Sequence, residues 1–398
     1  MSNKQKSLLA FVFIVAVFSI NFYQVEYATL DSVKYARISL LTVSIFLSLP
    51  FFFVKNGGLT PYIQAICTCA VISVFMARFS WGQDYTDTLK ATIPLLSWFF
   101  YFFLLKYEIS IESLEKVSVF YGILFIIFYI FQYTHSGTVY FGYEKAFKGD
   151  RGVVRVLFSG EGFFNLIVFT ALNKFTDSAK NKQLWLLLLI AGLVITIMQV
   201  TRQAIAAVFI VCFYHFIRDQ SITRKAVTLG LFVGSLIFIL YSDNVFVGKL
   251  FNQSDQNNTI SRNIRLNEAD YFLSNYSPGS VNMILGNGVP YGETRYGLFN
   301  EFLQSKGDYY TDIGLVSFYT FFGIFALIAI LILYFKSLTF KIPKKYIYLK
   351  YYVFFLIVTS LTSDSCFNFG YLITNVFVFY SLQFLFLEQK NSLRTRLT

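Results

Sequence analysis

Apolar residues run along this chain in long stretches separated by short polar connections. The stretches are too long and too evenly apolar for the strands or amphipathic helices of a soluble fold. A helix that crosses a bilayer needs about 20 mostly apolar residues, and fewer where flanking side chains reach out to the headgroups. Such runs are predicted at 8–24, 38–54, 62–79, 91–105, 117–133, 158–173, 184–200, 203–217, 226–241, 312–335, 347–363 and 368–387. Val200-Thr201-Arg202-Gln203 leaves almost no connection between the seventh and eighth runs, so these form a tight hairpin or one of them is broken. A single connection is long, from 242 to 311. The expected fold is an all-α integral membrane protein of about 12 transmembrane helices, with one long extracytoplasmic loop carrying short helices. Residues 1–241 would hold the first nine helices, 242–311 the loop, and 312–398 the last three helices and a cytoplasmic tail.

Composition agrees with a chain whose main solvent is lipid. It is 56% hydrophobic and 14% charged, with mean hydropathy +0.57, whereas a soluble domain carries about a quarter charged residues. The net charge of +11 would suit nucleic acid only if a basic soluble face existed. None is evident, and excess Lys and Arg in a membrane protein reflect the cytoplasmic-loop bias and anionic headgroups. No nucleic acid is expected as a partner. Cys67, Cys69, Cys212 and Cys366 lie in or beside apolar runs and form no disulfide framework. They are expected to be small core residues. Lys4 and Lys6 precede an apolar run from Leu8 that imitates a signal peptide, but no small-x-small cleavage site follows, and the run continues through Phe18, Asn21, Phe22 and Tyr23. An uncleaved first span is expected.

Lys and Arg set the orientation. With both termini in the cytoplasm, eighteen of them fall in inside segments and nine in short outside loops, which is the asymmetry of the positive-inside rule. The long loop is then outside. Within it, Ile264, Leu266, Tyr271, Phe272 and Leu273 alternate with charges between Arg262 and Tyr276, which predicts a short helix on the membrane surface. The two halves show no internal repeat, and this weakens a transporter reading.

Charges at membrane depth, or crowded on a small outer surface, mark candidate chemistry. Arg202 stands between two uncharged runs; its bland reading is a headgroup anchor. Lys145, Lys148, Arg151 and Arg155 precede Gly160-Glu161-Gly162 on the face that should be poorest in cations. Such a cluster suits an anionic ligand, with the arginines preferred where phosphate is held bidentately; otherwise it is a solvated basic loop. In the long loop Arg262 and Arg265 stand beside Glu268 and Asp270, where surface pairing is an alternative, and Glu293, Arg295, Glu301, Lys306, Asp308 and Asp312 follow. Gly286-Asn287-Gly288 reads as a turn. His135 and His215 are the only histidines and fall on opposite sides, so the outer face can assemble neither a histidine metal site nor a serine triad. A general base there is expected to be a carboxylate.

These features resemble the O-antigen polymerases and the related O-antigen ligases, membrane glycosyltransferases that use undecaprenyl-diphosphate sugars. The similarity rests on the long loop before the last three spans and on Val200-Thr201-Arg202-Gln203-Ala204, like the family's Thr-x-Ser-Arg turn. It rests also on Arg262 to Gly288, like an Arg, aromatic, Leu-Gly-x-Gly pattern, and on Asp312-Ile-Gly314 followed by Gly323. Ten residues separate Arg151 from Gly162, similar to the family's Arg-x10-Gly pattern; in the long loop that spacing fails, because Tyr276 stands where a glycine would follow Arg265. The ligases carry a histidine in the loop before the late spans, where this chain has Asp308 and Asp312 instead.

The resemblance implies a bacterial inner-membrane polymerase acting at the periplasmic face on O-antigen or capsule repeat units. Its substrate would be an undecaprenyl-diphosphate-linked oligosaccharide, its setting membrane lipid, and its partner a chain-length regulator protein. No cofactor or metal is expected, because arginines can neutralise the diphosphate leaving group. Arg202, Arg151 and Arg155 would hold the diphosphate, Arg265 and Arg262 the diphosphate or sugar, and Asp308, Asp312 or Glu161 would activate the acceptor hydroxyl. A ligase and a lipid-glycan flippase or transporter are the alternatives.

The orientation is open to direct test. In a background with the native cysteines replaced, a cysteine at Asn257 is expected to react with an impermeant maleimide in intact spheroplasts, and one at Ser392 only after lysis. The reverse pattern would invert the topology.

Overall fold

The computed structural model describes residues 3–25, 31–142, 156–177, 181–199, 201–218 and 265–397. In hydrocarbon an unpaired N–H or C=O has no water to turn to, so an apolar run closes its hydrogen bonds within itself as a helix. Before the long loop these helices are α1 (Asn3–Ser19), α2 (Asp31–Phe52), α3 (Thr60–Trp81), α4 (Tyr85–Leu96), α5 (Phe100–Tyr107), α6 (Ile111–Thr134), α7 (Glu161–Thr176), α8 (Lys182–Met198) and α9 (Arg202–Arg218). In the loop lie α10 (265–274), α11 (Ser280–Leu285) and α12 (Arg295–Ser305). Then come α13 (Leu315–Thr339), α14 (Tyr348–Thr359) and α15 (Phe369–Leu397). Among the described residues there is no strand, only one isolated bridge between Val25 and Phe141.

Helices occupy every predicted run except 226–241, which lies outside the described residues. Among the described residues, six segments are long and apolar enough to cross a membrane: Ser32–Phe52, Thr60–Trp81, Tyr85–Tyr107, Ile111–Thr134, Leu315–Thr339 and Phe369–Ser392. The chain is an α-helical, multi-pass membrane protein. Its outward faces agree, since Phe79 is 80% and Phe46 73% exposed. On α13 the exposed Phe325, Ile328, Ile332 and Phe335 form one stripe opposite the buried Ala326, Ala329, Ile330 and Leu333. A stripe of this kind is a liability in water and the ordinary surface of a helix in lipid.

At the centre stands α15, which packs against α1, α4, α5, α6, α7 and α14. From Leu372 to Leu382 it is buried on all sides, as expected of a helix that is apolar all round. Of its buried polar residues Thr374 keeps a hydroxyl without a hydrogen-bond partner, while Gln383 and Asn375 are satisfied. Gln383 Oε1 accepts the Leu59 amide at 2.7 Å. Asn375 accepts the Tyr352 hydroxyl at 2.9 Å and donates to the Ser365 carbonyl at 3.1 Å.

Two differences from the sequence reading position the site. First, α14 stops at Thr359, short of the predicted end at 363. Ser360, Thr362 and Ser363 turn back on the helix end, with the Ser363 hydroxyl donating to the Thr359 carbonyl at 2.9 Å, because hydroxyl side chains offer the backbone an alternative to helix. The connection 360–368 therefore carries its polar residues as a turn. Second, α13 is broken at Gly323, whose φ of 83° and ψ of 175° lie in a region open to glycine alone. The Gly286-Asn287-Gly288 segment lies against this break. The Asn287 amide donates to the Thr320 carbonyl at 3.0 Å and the Gly288 amide to the Phe321 carbonyl at 2.9 Å.

Asn287 is fully buried and fully used: Nδ2 donates to Thr320 O and Ser277 Oγ, each at 2.9 Å, and Oδ1 accepts from Trp81 Nε1 at 3.3 Å. Trp81 in turn stacks on Tyr296 at 4.4 Å and 7°, and Gln83 accepts from the Tyr291 amide at 3.0 Å and the Thr294 hydroxyl at 2.8 Å. The described part of the long loop is thus fastened to α3 and α13. Beyond this anchor Phe272 and Tyr276 are buried, while Leu266 and Leu273 remain exposed on α10, the helix expected between Arg262 and Tyr276.

A Cβ at Gly323 would press on the Ile284 carbonyl and come within 2.7 Å of the Gly286 nitrogen. Gly323→Ala is expected to cost about 2–4 kcal/mol through backbone strain and lost packing. Asn287→Ala should cost about 1–3 kcal/mol through stranded polar partners. Gly137, with open space around it, is the control. Unfolding midpoints in detergent check all three, and an unperturbed Gly323→Ala would remove the break as a structural constraint.

Candidate active site

Four helices, α7, α9, α13 and α15, begin at one end of the bundle, and the 360–368 turn lies among their first residues. The Leu315 amide donates to the Ser360 carbonyl at 2.8 Å. The Thr362 hydroxyl donates to Gln203 Oε1, beside Arg202. Gly370 abuts Glu161, so that a Cβ on it would collide with Glu161 Oε2. Close approach is made possible by residues without side chains. A Cβ on Gly314 (φ 45°) would press on the Ser360 carbonyl and approach the Ser363 carbonyl to 2.8 Å, and one on Gly162 would come within 2.8 Å of Thr374 Oγ1 and 3.0 Å of Gly370 O. Behind Glu161, Tyr23 closes the floor: its ring would meet a Cβ on Gly160 at 2.8 Å, and its hydroxyl donates to the Tyr121 carbonyl at 2.7 Å.

This packing gathers carboxylates from distant parts of the chain. Glu161 and Asp364 are near enough for their charges to repel, as are Asp364 and Asp312, and Glu268 with both Asp312 and Asp308. Asp308, Asp312 and Glu161, the three acids singled out in the sequence, therefore belong to one cluster. Arg265 sits one turn before Glu268 and attracts it. Arg202 opens α9 with its side chain exposed, its neighbour Gln203 held by the turn that carries Asp364. Arg151, Arg155 and Arg262 lie outside the described residues.

Two carboxylates gain importance beyond the sequence reading. Asp364 had no role there, although Thr362-Ser363-Asp364-Ser365 puts an unexplained acid in a short turn between two apolar runs, a signal by the rule for charges near membrane depth. Withdrawal from water pushes its carboxyl up to about 6, with Asp312 adding to the effect and the Asn368 amide, which donates at 2.8 Å, opposing it. Glu268 was a candidate for surface pairing with the arginines. It is instead 2% exposed. Its Oε1 accepts the Tyr309 amide at 3.5 Å, and Oε2 is enclosed without a hydrogen-bond partner. Burial and the two aspartates raise its titration, against the pull of the Tyr309 amide and Arg265.

The arrangement has two chemical capacities. A carboxylate that titrates near neutrality is suited to take a proton from a hydroxyl. Helix N-termini carry partial positive charge and unpaired N–H groups, and at α7 and α13 the capping positions are Gly160 and Gly314, which have no side chain to cover them. With Arg202, these ends suit an anionic group. Among the described residues no three His, Cys, Asp or Glu side chains are placed to hold a metal ion. In comparison with known proteins, no family model and no curated protein matches the chain.

The raised titration of Asp364 sets a pH dependence. Its carboxyl ionises near 3.8 when unfolded and near 6 when folded. Folding therefore carries a penalty that is absent below both values, grows as pH rises between them, and is complete above about pH 6. Asp364→Asn is expected to raise stability at pH 8 by roughly 1–3 kcal/mol and to have little effect at pH 4. Unfolding midpoints in detergent at the two pH values check this, and a variant destabilised at pH 8 would refute it.

Proposed function

We propose that this chain is a polysaccharide polymerase of the bacterial inner membrane. It transfers a growing glycan from undecaprenyl diphosphate onto the distal sugar of a lipid-linked repeat unit. The observation that carries the reading is the convergence of Glu161, Asp312 and Asp364 with the start of α9 at Arg202, at one end of an apolar bundle. Glycosyl transfer needs a base for the acceptor hydroxyl and positive charge for the departing diphosphate, and this end offers both at the depth where a lipid headgroup lies.

In the proposed reaction, Asp364 takes the proton as the acceptor oxygen attacks the anomeric carbon. The bond from that carbon to the diphosphate oxygen breaks, and undecaprenyl diphosphate leaves with its new negative charge facing Arg202 and the uncapped starts of α7 and α13. Burial, with Asp312 adding to it, keeps the Asp364 carboxyl raised to about 6, Glu161 and Asp312 orient the acceptor, and Arg265 and Glu268 border the sugar. Arg151, Arg155 and Arg262 are assigned to the donor on sequence grounds.

In the membrane this reading has twelve crossings, with 226–241 as the ninth, the loop 242–311 outside and both termini in the cytoplasm. The opposite end of the bundle supports that orientation, for Lys106, Lys174, Lys336 and Lys345 lie there. A chain-length regulator is the proposed protein partner. Two observations favour a polymerase over the alternatives. The family's ligases carry a loop histidine, and here the loop has none. A flippase would spread ionisable groups along a central path, whereas the buried stretch of α15 at the centre, Leu372 to Leu382, holds no Asp, Glu, Lys, Arg or His and the carboxylates crowd one end.

The role of Arg202 separates a ligand from an anchor. A snorkelling anchor tolerates lysine, but a bidentate phosphate ligand does not, since an ammonium lacks the planar fork. Arg202→Lys and Arg202→Ala are both expected to lose polymer while still inserting, the glycan ladder collapsing to single repeat units, at a cost of about 2–4 kcal/mol in the transition state. Asp364→Asn should be inactive yet no less stable. Ladder gels with membrane protein levels check these outcomes, and full-length ladders from Arg202→Lys would return this residue to anchoring.

A further inference from the structure

At the end of the bundle opposite the carboxylates there is a cavity of about 310 Å³, between the last turns of α7 and α9 and the connection into α14. Arg218 and Lys344 face it from two of these walls. His215, on α9 with Arg218, is fixed between α7 and α14, with Nε2 at 2.7 Å from Thr176 Oγ1 and Nδ1 at 2.8 Å from the Tyr351 hydroxyl. Asn173 donates to the carbonyls of Lys345 at 2.9 Å and Lys344 at 3.4 Å, which fastens the lysine segment to α7. The wall is therefore built from side chains tied to one another across three helices.

The charge balance favours an anion. Among the described lining residues Asp177 is the acid, against Arg218 and Lys344. The neighbouring acids are engaged elsewhere: Glu115 pairs with Lys174 at 2.8 Å and accepts from Tyr348 at 2.8 Å, and Glu112 meets Lys345 at 3.4 Å and the Tyr346 hydroxyl. Lys350 is close enough to Arg218 for the two to repel, so cations crowd here as carboxylates do at the other end. The carbonyl ends of α7 and α9 oppose an anion and the start of α14 favours one, which leaves recognition to the cationic side chains. The volume matches the lower range of ligand sites and is about that of ten waters.

We propose that this cavity binds a phosphate group, either the headgroup phosphate of an anionic lipid or a free phosphate compound. Arg218 supplies the planar fork that phosphate oxygens accept in pairs. Lys344 supplies a second charge from an exposed side chain, and the His215 ring holds the wall between them. The proposal stands apart from the chemistry at the carboxylate end.

The test uses the full-length protein in detergent, titrated calorimetrically with inorganic phosphate and, separately, with dihexanoyl phosphatidic acid below its micelle concentration. Saturable one-to-one binding of at least one probe is expected, weakened about tenfold by Arg218→Ala and by Lys344→Ala. Lys344→Arg should keep it, and Lys390→Ala should leave it unchanged. Binding of the lipid alone assigns the site to a headgroup, and equal binding of both assigns it to a free phosphate. Lys344 is exposed, so its variants report even if Arg218→Ala does not fold. Absence of saturable binding by either probe, or wild-type affinity in the Lys344→Ala protein, would overturn the proposal.

Discussion

A backbone polar group in hydrocarbon must find its partner within the protein, and at Gly323 that requirement shapes half of the molecule. The break in α13 frees the carbonyls of Thr320 and Phe321, and the amides of Asn287 and Gly288 take them up. This ties a loop segment to a membrane helix at a place no side chain could occupy. It also fixes where the rest of the loop goes, because Trp81, Gln83 and Tyr296 fasten the chain on either side of it. Glu268 precedes the anchor, and Asp308 and Asp312 follow it. Their meeting is a consequence of the anchoring, and Gly314 then lets Asp312 close on the 360–368 turn. The loop acids reach Asp364 and Glu161 through two glycines and one asparagine.

A cluster of like charges in partial enclosure is unfavourable on its own, and the surroundings hold it in place. Beneath Asp364 the hydroxyls of Thr359, Ser360 and Ser365 bond to one another at 3.0 and 3.1 Å, and Tyr334 meets Ser360 at 3.2 Å. Asn375 joins this network to α15 through the Ser365 carbonyl. The turn is therefore fixed largely by neutral polar groups, the carboxylate itself accepting from the Asn368 amide. Asp364 adds repulsion to this scaffold, and Glu268 keeps a buried oxygen without a partner. Where a protein keeps charge that its fold would be more stable without, function is the usual reason.

What the sequence made legible followed from physics that acts over single stretches. Apolar length predicted a helix at each described run, and the bar on charge at membrane depth picked out Glu161, Asp308 and Asp312. Features that depend on two stretches meeting were hidden. The Gly286-Asn287-Gly288 segment read as a turn, because its partner carbonyls lie more than thirty residues on, in what looks like an unbroken helix. Glu268 read as a surface ion-pair partner, because nothing near it in sequence announces the enclosure that leaves it 2% exposed. The end of α14 was placed four residues late, because apolar counting gives hydroxyl side chains little weight while their hydrogen bonds to the helix end decide the turn. Asp364 is legible in principle, as a lone acid in the short connection between the last two apolar runs, but nothing in that connection shows that it meets Asp312.

The two ends of the bundle also differ in kind. At one end helices begin, carboxylates gather, and glycine positions leave first-turn N–H groups uncovered. At the other end α7 and α9 finish, lysines accumulate, and acids such as Glu112 and Glu115 are bonded to lysine and tyrosine. Helix dipoles favour this placement at the first end, where partial positive charge attracts acids and equally any anionic ligand that competes with them. On the proposed reading that competition is useful. A bound diphosphate would draw on the helix starts and Arg202, and the carboxylates, deprived of part of that stabilisation, would hold protons more tightly and so act more readily as bases. Donor binding and acceptor activation would then be coupled through the same few N–H groups, with no moving part required.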